Sequence, residues 1–311
     1  MRINLGDVRL WFSVSGPSVL PDGDTSCSCC EPVRLWLGAS VGDPPDDTMS
    51  PEVVALASKT FGDVTATLDE FVGSAEICRP PDNFFDADLI GSLADAYEWL
   101  DEQGARAIVL SSAGKHFCAG ADFTGRSSTR LNSGGAGELY ARAIRLFQAR
   151  LPVIAAVQGA AVGGGLGLAC AADFRVATRQ SRFSANFARI GLHHGFALSV
   201  TLPAIIGQQR AAELLYTGTR IGGEEAFSIG LADRLTEDLR GAAHELAVEI
   251  AAAAPLAVRA IRATMRDGLA DRAQAAMARE LSEQQKLWPT ADFAEGVKAA
   301  AERRPARFAG R

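Results

Sequence analysis

The chain has 311 residues, with 31 Lys and Arg against 37 Asp and Glu, for a formal net charge of −6. At 48% hydrophobic and 22% charged it has the make-up of a globular protein with a sizeable core, which excludes a disordered or collagen-like chain. The acidic balance argues against a broad basic face for nucleic acid.

Residues 1–48 stand apart, with three basic and seven acidic residues. Asp7 and Arg9 interrupt the N-terminus before a signal-type apolar segment can form. Val8–Val14 alternates loosely and predicts a strand, Val33–Leu37 predicts a second, and Gly42 to Asp47 reads as a linker. A regular pattern begins only at Met49, so 1–48 is expected to be an atypical extension, with Met49 as a natural start. Cysteines stand at 27, 29, 30, 78, 118 and 170 without a partnered C-x-x-C pair or a histidine at zinc spacing. No metal site is expected, and the setting is expected to be reduced and cytoplasmic.

Further along, strands are predicted at Val64–Leu68 and Ala75–Cys78, the latter ended by Arg79-Pro80-Pro81 because proline removes a ladder donor. Phe85–Glu102 has helical spacing, with Leu89, Leu93, Ala96 and Leu100 on one face. Then follow a strand at Ala107–Ser111, a helix at Gly137–Gln148, a strand at Val153–Val157, a glycine turn, a helix at Leu166–Ala172 and a strand at Phe174–Ala177. The uncharged run Leu151–Ala172 has the length of a membrane span, but five glycines, Pro152 and Gln158 divide it, so no membrane segment is expected. Recurring strand, loop and helix predict an α/β architecture. The last sixty residues are helical. Their stripes Leu256/Ala260/Thr264/Gly268 and Val258/Ile261/Met265/Leu269 need an apolar partner, either the core or another subunit. Residues 298–311 carry five basic residues and one acidic, which suits a solvated tail or a partner for phosphates.

Two loops can carry chemistry. Gly114-Lys-His-Phe-Cys-Ala-Gly-Ala-Asp122 follows the strand at 107–111, and its small residues let a ligand approach the main chain. Gly159-Ala-Ala-Val-Gly-Gly-Gly-Leu-Gly167 follows the strand at 153–157 and leads into a helix, offering bare N–H donors at the positive end of a helix dipole. It is neither a P-loop, since no Lys-Ser/Thr follows, nor a dinucleotide fingerprint.

With their surroundings, these loops resemble the crotonase (enoyl-CoA hydratase/isomerase) superfamily. The resemblance rests on HFCAGAD, IAAVQGAAVGGGLGLACAADFRVA, FSANFARIGL, the segment GTRIGGEEAFSIGLAD and Thr290-Ala-Asp-Phe-Ala-Glu-Gly296, and it covers about Phe61 to Phe308. It implies a spiral core of ββα turns over 49–250, a C-terminal helical trimerisation region over 251–311, and a homotrimer or dimer of trimers. It implies an acyl-CoA thioester substrate, with coenzyme A as part of the substrate and no separate cofactor. Residue by residue, it implies that the N–H groups of Ala121 and Gly164 form an oxyanion hole for a thioester enolate, where loss of one donor typically costs about 3–4 kcal/mol in barrier. Coenzyme A contacts are expected at Asn83, Phe85, Lys115 and Ala119, with Arg79 or the basic tail near the phosphates. Asp122 and His116 are expected to brace the first loop, and Cys118 to serve as a small loop residue.

The pattern departs from a hydratase at two places. The resemblance puts one catalytic glutamate two positions after the glycine triplet and the other four beyond Phe183; Gly167 and Phe187 stand there. His193, beside His194, is the expected replacement base. Arg189 is expected to pair with a carboxylate or a phosphate, Ser184 and Asn186 to hold polar substrate groups or equally to cap strand ends, and Glu138, on a segment that borders the acyl pocket in relatives, to be a solvated helix-end carboxylate. The expected function is therefore chemistry on an acyl-CoA enolate other than two-glutamate hydration: isomerisation, decarboxylation, or C–C, C–halogen or ester cleavage. The alternatives are a non-catalytic acyl-CoA binder and a C–C hydrolase of a non-CoA diketone.

Overall fold

A computed structural model of the chain describes residues 57–121 and 135–311, together with the backbone of a short N-terminal hairpin. The chain divides into two compact units, 1–52 and 53–311. In the first, β1 (Arg2–Leu5) pairs antiparallel with β2 (Val8–Trp11). The expected strand at 33–37, the linker, residue 49 and the 27–30 cysteines lie outside the described residues. The helices from 251 onward share one unit with the core and do not separate from it.

The second unit opens with β3 (Ala57–Phe61), β4 (Val64–Asp69), β5 (Val72–Ile77), α1 (Ala87–Glu102), β6 (Ala107–Ser112) and α2 (Ala136–Gln148). It continues with β7 (Val153–Val157), β8 (Ala160–Val162), α3 (Gly164–Ala171), β9 (Phe174–Ala177), β10 (Arg182–Ser184), a 3-10 turn (Asn186–Ile190), α4 (Leu198–Ile206) and α5 (Gln208–Thr217). Then come β11 (Arg220–Gly222), α6 (Gly223–Ser228), β12 (Arg234–Leu235) and the helices α7 (Leu239–Ala251), α8 (Pro255–Met265), α9 (Leu269–Leu287) and α10 (Ala291–Ala301). A seven-stranded sheet has the order β12-β9-β7-β6-β5-β4-β3, and a three-stranded sheet the order β11-β10-β8. β3, β4 and β5 pair antiparallel; from β5 through β12 the large sheet is parallel. Successive turns place one strand in the large sheet, the next in the small sheet, and then a helix: β7, β8, α3, and again β9, β10, α4. This is the ββα spiral of the crotonase fold.

Alternation along the strands sorts side chains to the two faces of the large sheet. Ile108, Leu110, Val153, Ala155 and Val157 join the main core beneath α1, α2 and α3. Ala107, Val109, Ile154 and Ala156 turn the other way, against Leu239, Ala243 and Ala247 of α7. Both faces are covered, as a parallel sheet requires. α1 starts where Asp86 accepts the Leu89 N–H at 2.9 Å, an N-cap. α10 is capped likewise by Thr290, and Gly296 lets it lie flat on the 3-10 turn, since a Cβ there would fall 2.4 Å from the Ile190 carbonyl carbon.

The C-terminal stripe is not buried within one chain: Leu256, Ile261 and Met265 of α8 are 81%, 62% and 78% exposed. The basic tail is tied down on α10. Arg304 forks onto Glu295 at 2.6 and 2.9 Å, and Asp292 accepts the N–H groups of Ala309 and Gly310. No helix among the described residues is long and apolar enough to cross a membrane.

Candidate active site

The two chemistry-bearing loops are stitched together by their own backbones. Cys118 N–H donates to the Ala160 carbonyl and Val162 N–H to the Cys118 carbonyl, both at 3.0 Å, so residue 118 makes an isolated parallel bridge to Ala161 in the small sheet. Small residues are obligatory at this junction: a Cβ at Gly165 would fall 2.1 Å from the Cys118 carbonyl oxygen. His116 braces the first loop, its Nδ1 accepting the Ala160 N–H at 3.2 Å, as expected of it. Burial pushes the Cys118 thiol up to about 12, so it is a packing residue and not a nucleophile.

Beyond the stitch the two turns open onto one cavity of about 270 Å³. Ala119, Gly120 and Ala121 line it from the first loop, Gly163 and Gly164 from the second. A Cβ at Gly120 would lie 3.6 Å from the Gly164 nitrogen, which measures how closely the turns approach. Gly164 is the first residue of α3, so its N–H has no partner within the helix. Among the described residues, neither the Ala121 nor the Gly164 N–H meets an acceptor, whereas Gly163 N–H is spent on the Ser184 carbonyl at 2.8 Å.

The rest of the lining is mostly apolar. Phe85, Leu139, Phe187, Ile190, Leu192 and Phe196 contribute, with Asn186, Tyr140, Gln284 and the Trp288 indole N–H as the polar side-chain groups; among the described residues it includes no carboxylate, lysine or histidine. Gly167 and Phe187 show how that came about. A Cβ at Gly167 would fall 2.6 Å from the Phe196 Cβ, so the space a side chain there would need is filled. Phe187 is buried and its ring edges against Gly163.

His193 must be corrected as the replacement base. It does not line the cavity: its ring stacks on His194 at 4.1 Å between centroids, and its Nδ1 pairs with the His194 carbonyl at 2.7 Å. Gln284 donates to the His193 carbonyl at 3.1 Å. The coenzyme A contact expected near Asn83 is one of backbone. Asn83 is fully buried, its carboxamide donating to the carbonyls of Ala113 and His116 while accepting the Arg79 N–H, and its own N–H goes to the Arg79 carbonyl. Phe85 and Ala119 do line the cavity, although their N–H groups are taken by Gly120 and Asp82. Lys115 is exposed, on the rim of a separate cavity shared with Arg182 and Arg220. Arg79 pairs with Asp63 and Asp86. Glu138 is exposed and paired with Arg142. Ser184 donates to the Gly218 carbonyl, and Arg189 to the Thr217 carbonyl. Asp122 lies outside the described residues. Among the described residues no cluster of three or more His, Cys, Asp or Glu could hold a metal ion.

Sequence reasoning missed three buried polar residues around the cavity: Tyr140, Glu280 and Gln284. Tyr140 donates to Gln284 Oε1 at 3.2 Å. Glu280 accepts the N–H groups of Ala197 and Ser199 and the Ser199 hydroxyl.

The fold is shared with known proteins. The family model for enoyl-CoA hydratase/isomerase matches residues 69–311. A crotonyl-CoA hydratase of Syntrophomonas wolfei is 33% identical over 232 residues, covering 73% of this chain and 89% of its own. An enoyl-CoA isomerase/hydratase of Zymoseptoria tritici is 33% identical over 247 residues, covering 72% of this chain and 78% of its own. The crystal structure of an enoyl-CoA hydratase/isomerase from Pseudoalteromonas atlantica superposes with a TM-score of 0.70 at 31% identity, over 79% of this chain and all of that one. The loop motifs, the spiral and these matches agree: the chain belongs to the enoyl-CoA hydratase/isomerase family.

Proposed function

We propose that this protein is an enzyme that binds the acyl part of a coenzyme A thioester in the 270 Å³ cavity and stabilises its enolate with the N–H groups of Ala121 and Gly164. One observation carries the reading: two amides that meet no acceptor among the described residues, from two turns tied into one unit, border one apolar cavity. An enolate gathers negative charge on the thioester oxygen, and fixed donors in a water-poor site stabilise it without reorganising. The start of α3 adds its dipole at Gly164. Phe85 and Ala119 are proposed to meet the pantetheine arm and Lys115 a phosphate. The chain is proposed to work as a homotrimer or dimer of trimers; the exposed apolar face of α8 supports self-association.

Hydration by a pair of glutamates is not the proposed reaction, because the described lining offers no carboxylate to activate water or return a proton. Reactions that create the enolate by cleaving a bond of the substrate fit better. In decarboxylation, for example, the electrons of the broken C–C bond become the enolate and no base is needed. Isomerisation, which must move a proton, and C–halogen or ester cleavage, which need a nucleophile, would draw that group from outside the described lining. The same lack of a carboxylate favours one alternative, a non-catalytic acyl-CoA binder.

The test is a panel of saturated, 2-enoyl, 3-enoyl and carboxyacyl-CoA esters, scored for binding and turnover beside crotonyl-CoA hydration. The expected result is tight binding, turnover of at least one enolate-forming ester, and slow hydration. Rapid crotonyl-CoA hydration would overturn the carboxylate-free reading. Binding without any turnover would establish the alternative, and indifference to competing free coenzyme A would point to a non-CoA diketone.

A further inference from the structure

The turn 195–199, which carries Phe196 to the cavity lining, is held by several side chains from distant parts of the described chain. Two consecutive non-glycine residues there, Phe196 and Ala197, have φ of 60° and 58°. Left-handed backbone disfavours side-chain-bearing residues and persists only where its surroundings impose it. Here they do. The Ala197 N–H goes to Glu280 Oε2 at 2.9 Å and the Ser199 N–H to Glu280 Oε1 at 3.0 Å. The Ser199 hydroxyl adds a third donor to the same carboxylate at 2.5 Å, and Gln284 holds the preceding His193 carbonyl. Gly195 packs so tightly under this clasp that a Cβ would fall 2.0 Å from the Tyr140 oxygen.

Glu280 is fully buried on α9, 83 residues from Ala197. Burying a carboxyl is costly, and desolvation pushes its pKa up against the pull of the Ser199 and Ala197 bonds. Its donors sit at the start of α4, where a negative group also meets the positive end of the helix. The clasp fixes one side chain in the cavity: Phe196, 1% exposed, packed on Phe85 at 5.5 Å and lying over Gly167.

We propose that Phe196 is the wall that limits acyl-chain length, and that Glu280 is the positioning residue that keeps it there. The proposal rests on the cavity being an acyl site. Its consequence is a preference for short acyl groups, since removing the ring would open room for several carbons, each methylene in an apolar pocket changing affinity about 10–200-fold.

The experiment compares dissociation constants of butyryl-CoA and decanoyl-CoA for wild type, Phe196→Ala, Glu280→Gln and Tyr140→Phe, with thermal melts to confirm folding. Wild type should favour butyryl-CoA. Phe196→Ala should move the decanoyl-to-butyryl affinity ratio at least 10-fold toward the longer chain, and Glu280→Gln should move it the same way by a smaller factor. If Glu280→Gln does not fold, Tyr140→Phe, which removes the hydroxyl packed against Gly195 and bonded to Gln284, must show the shift. A general loss of stability would weaken both esters alike and leave the ratio unmoved. An unchanged ratio in Phe196→Ala overturns the wall. A shift there without one in the clasp variant overturns the positioning role. Failure of wild type to bind either ester refutes the acyl-site reading itself.

Discussion

The two sides of the cavity are built on opposite rules. The side made by the loops at 114–121 and 159–165 lines the cavity with alanine and glycine, and it leaves two backbone donors without acceptors among the described residues. The side made by the turn at 195–199 is surrounded by buried polar side chains, and Tyr140, Glu280 and Gln284 all spend their hydrogen bonds on structure. An unpaired donor in an apolar site is an energetic liability that a ligand oxygen relieves. A saturated network is a brace that a ligand has no reason to disturb. The molecule thus offers charge stabilisation on one side and shape on the other.

The contrast can be broken most severely at Gly164. A methyl group there would fall 2.2 Å from the Phe85 ring, so Gly164→Ala should tilt the amide away from the thioester oxygen. Turnover of whichever ester the panel identifies should drop about 10²–10³-fold, the scale of a lost oxyanion donor. Steady-state kinetics checks this, and a loss under 10-fold would remove Gly164 from the mechanism.

A smaller effect is expected at Gly167. Restoring a carboxylate by Gly167→Glu should not create a hydratase, because the new side chain meets Phe196 at 2.6 Å from its first carbon. Overpacking of this kind destabilises by about 1–3 kcal/mol, visible in urea unfolding. Adding Phe196→Ala should recover part of that loss. A fully stable Gly167→Glu protein would mean that the wall yields.

The smallest effect concerns His194, which sits beside the clasp with Nε2 2.9 Å from the Ser199 hydroxyl. Burial, and then the neighbouring His193, hold its pKa down to about 4 from an ordinary 6.5. The folded chain therefore keeps it neutral where the unfolded chain protonates it, so this residue's contribution is complete above pH 6.5 and is lost as pH falls toward 4. Unfolding free energies measured across that range should fall less steeply in His194→Gln than in wild type. Parallel slopes would show that the histidine titrates normally.

Much of the scaffold was legible in the sequence, and the reasons are local. Val153–Val157 and Phe174–Ala177 are continuous β-rich runs bounded by turn residues, and they are strands with those bounds. The helix expected at Phe85–Glu102 begins two residues later, where Asp86 caps it. The helix expected from Leu166 begins instead at Gly164, because its first turn is glycine and shows no apolar period. β8, β10 and β11 escaped notice because strands of three residues carry no periodicity. The oxyanion candidates were visible because their chemistry lies in small-residue loops, which have a sequence signature. Glu280 and Tyr140 were not, because the partner of each is more than 50 residues away and a lone polar residue on a helix looks solvent-facing. His193 misled for the converse reason: its position in the chain pointed at the cavity, and its ring pairs with its neighbour instead.

The central claim is that the Ala121 and Gly164 amides together grip a thioester oxygen. Infrared difference spectroscopy of butyryl-CoA labelled with carbon-13 at the thioester carbonyl addresses it directly. The account predicts that the labelled band moves to lower frequency on binding and that much of the shift is lost in Gly164→Ala. A bound ester whose carbonyl absorbs at its aqueous frequency, in both wild type and variant, would contradict it.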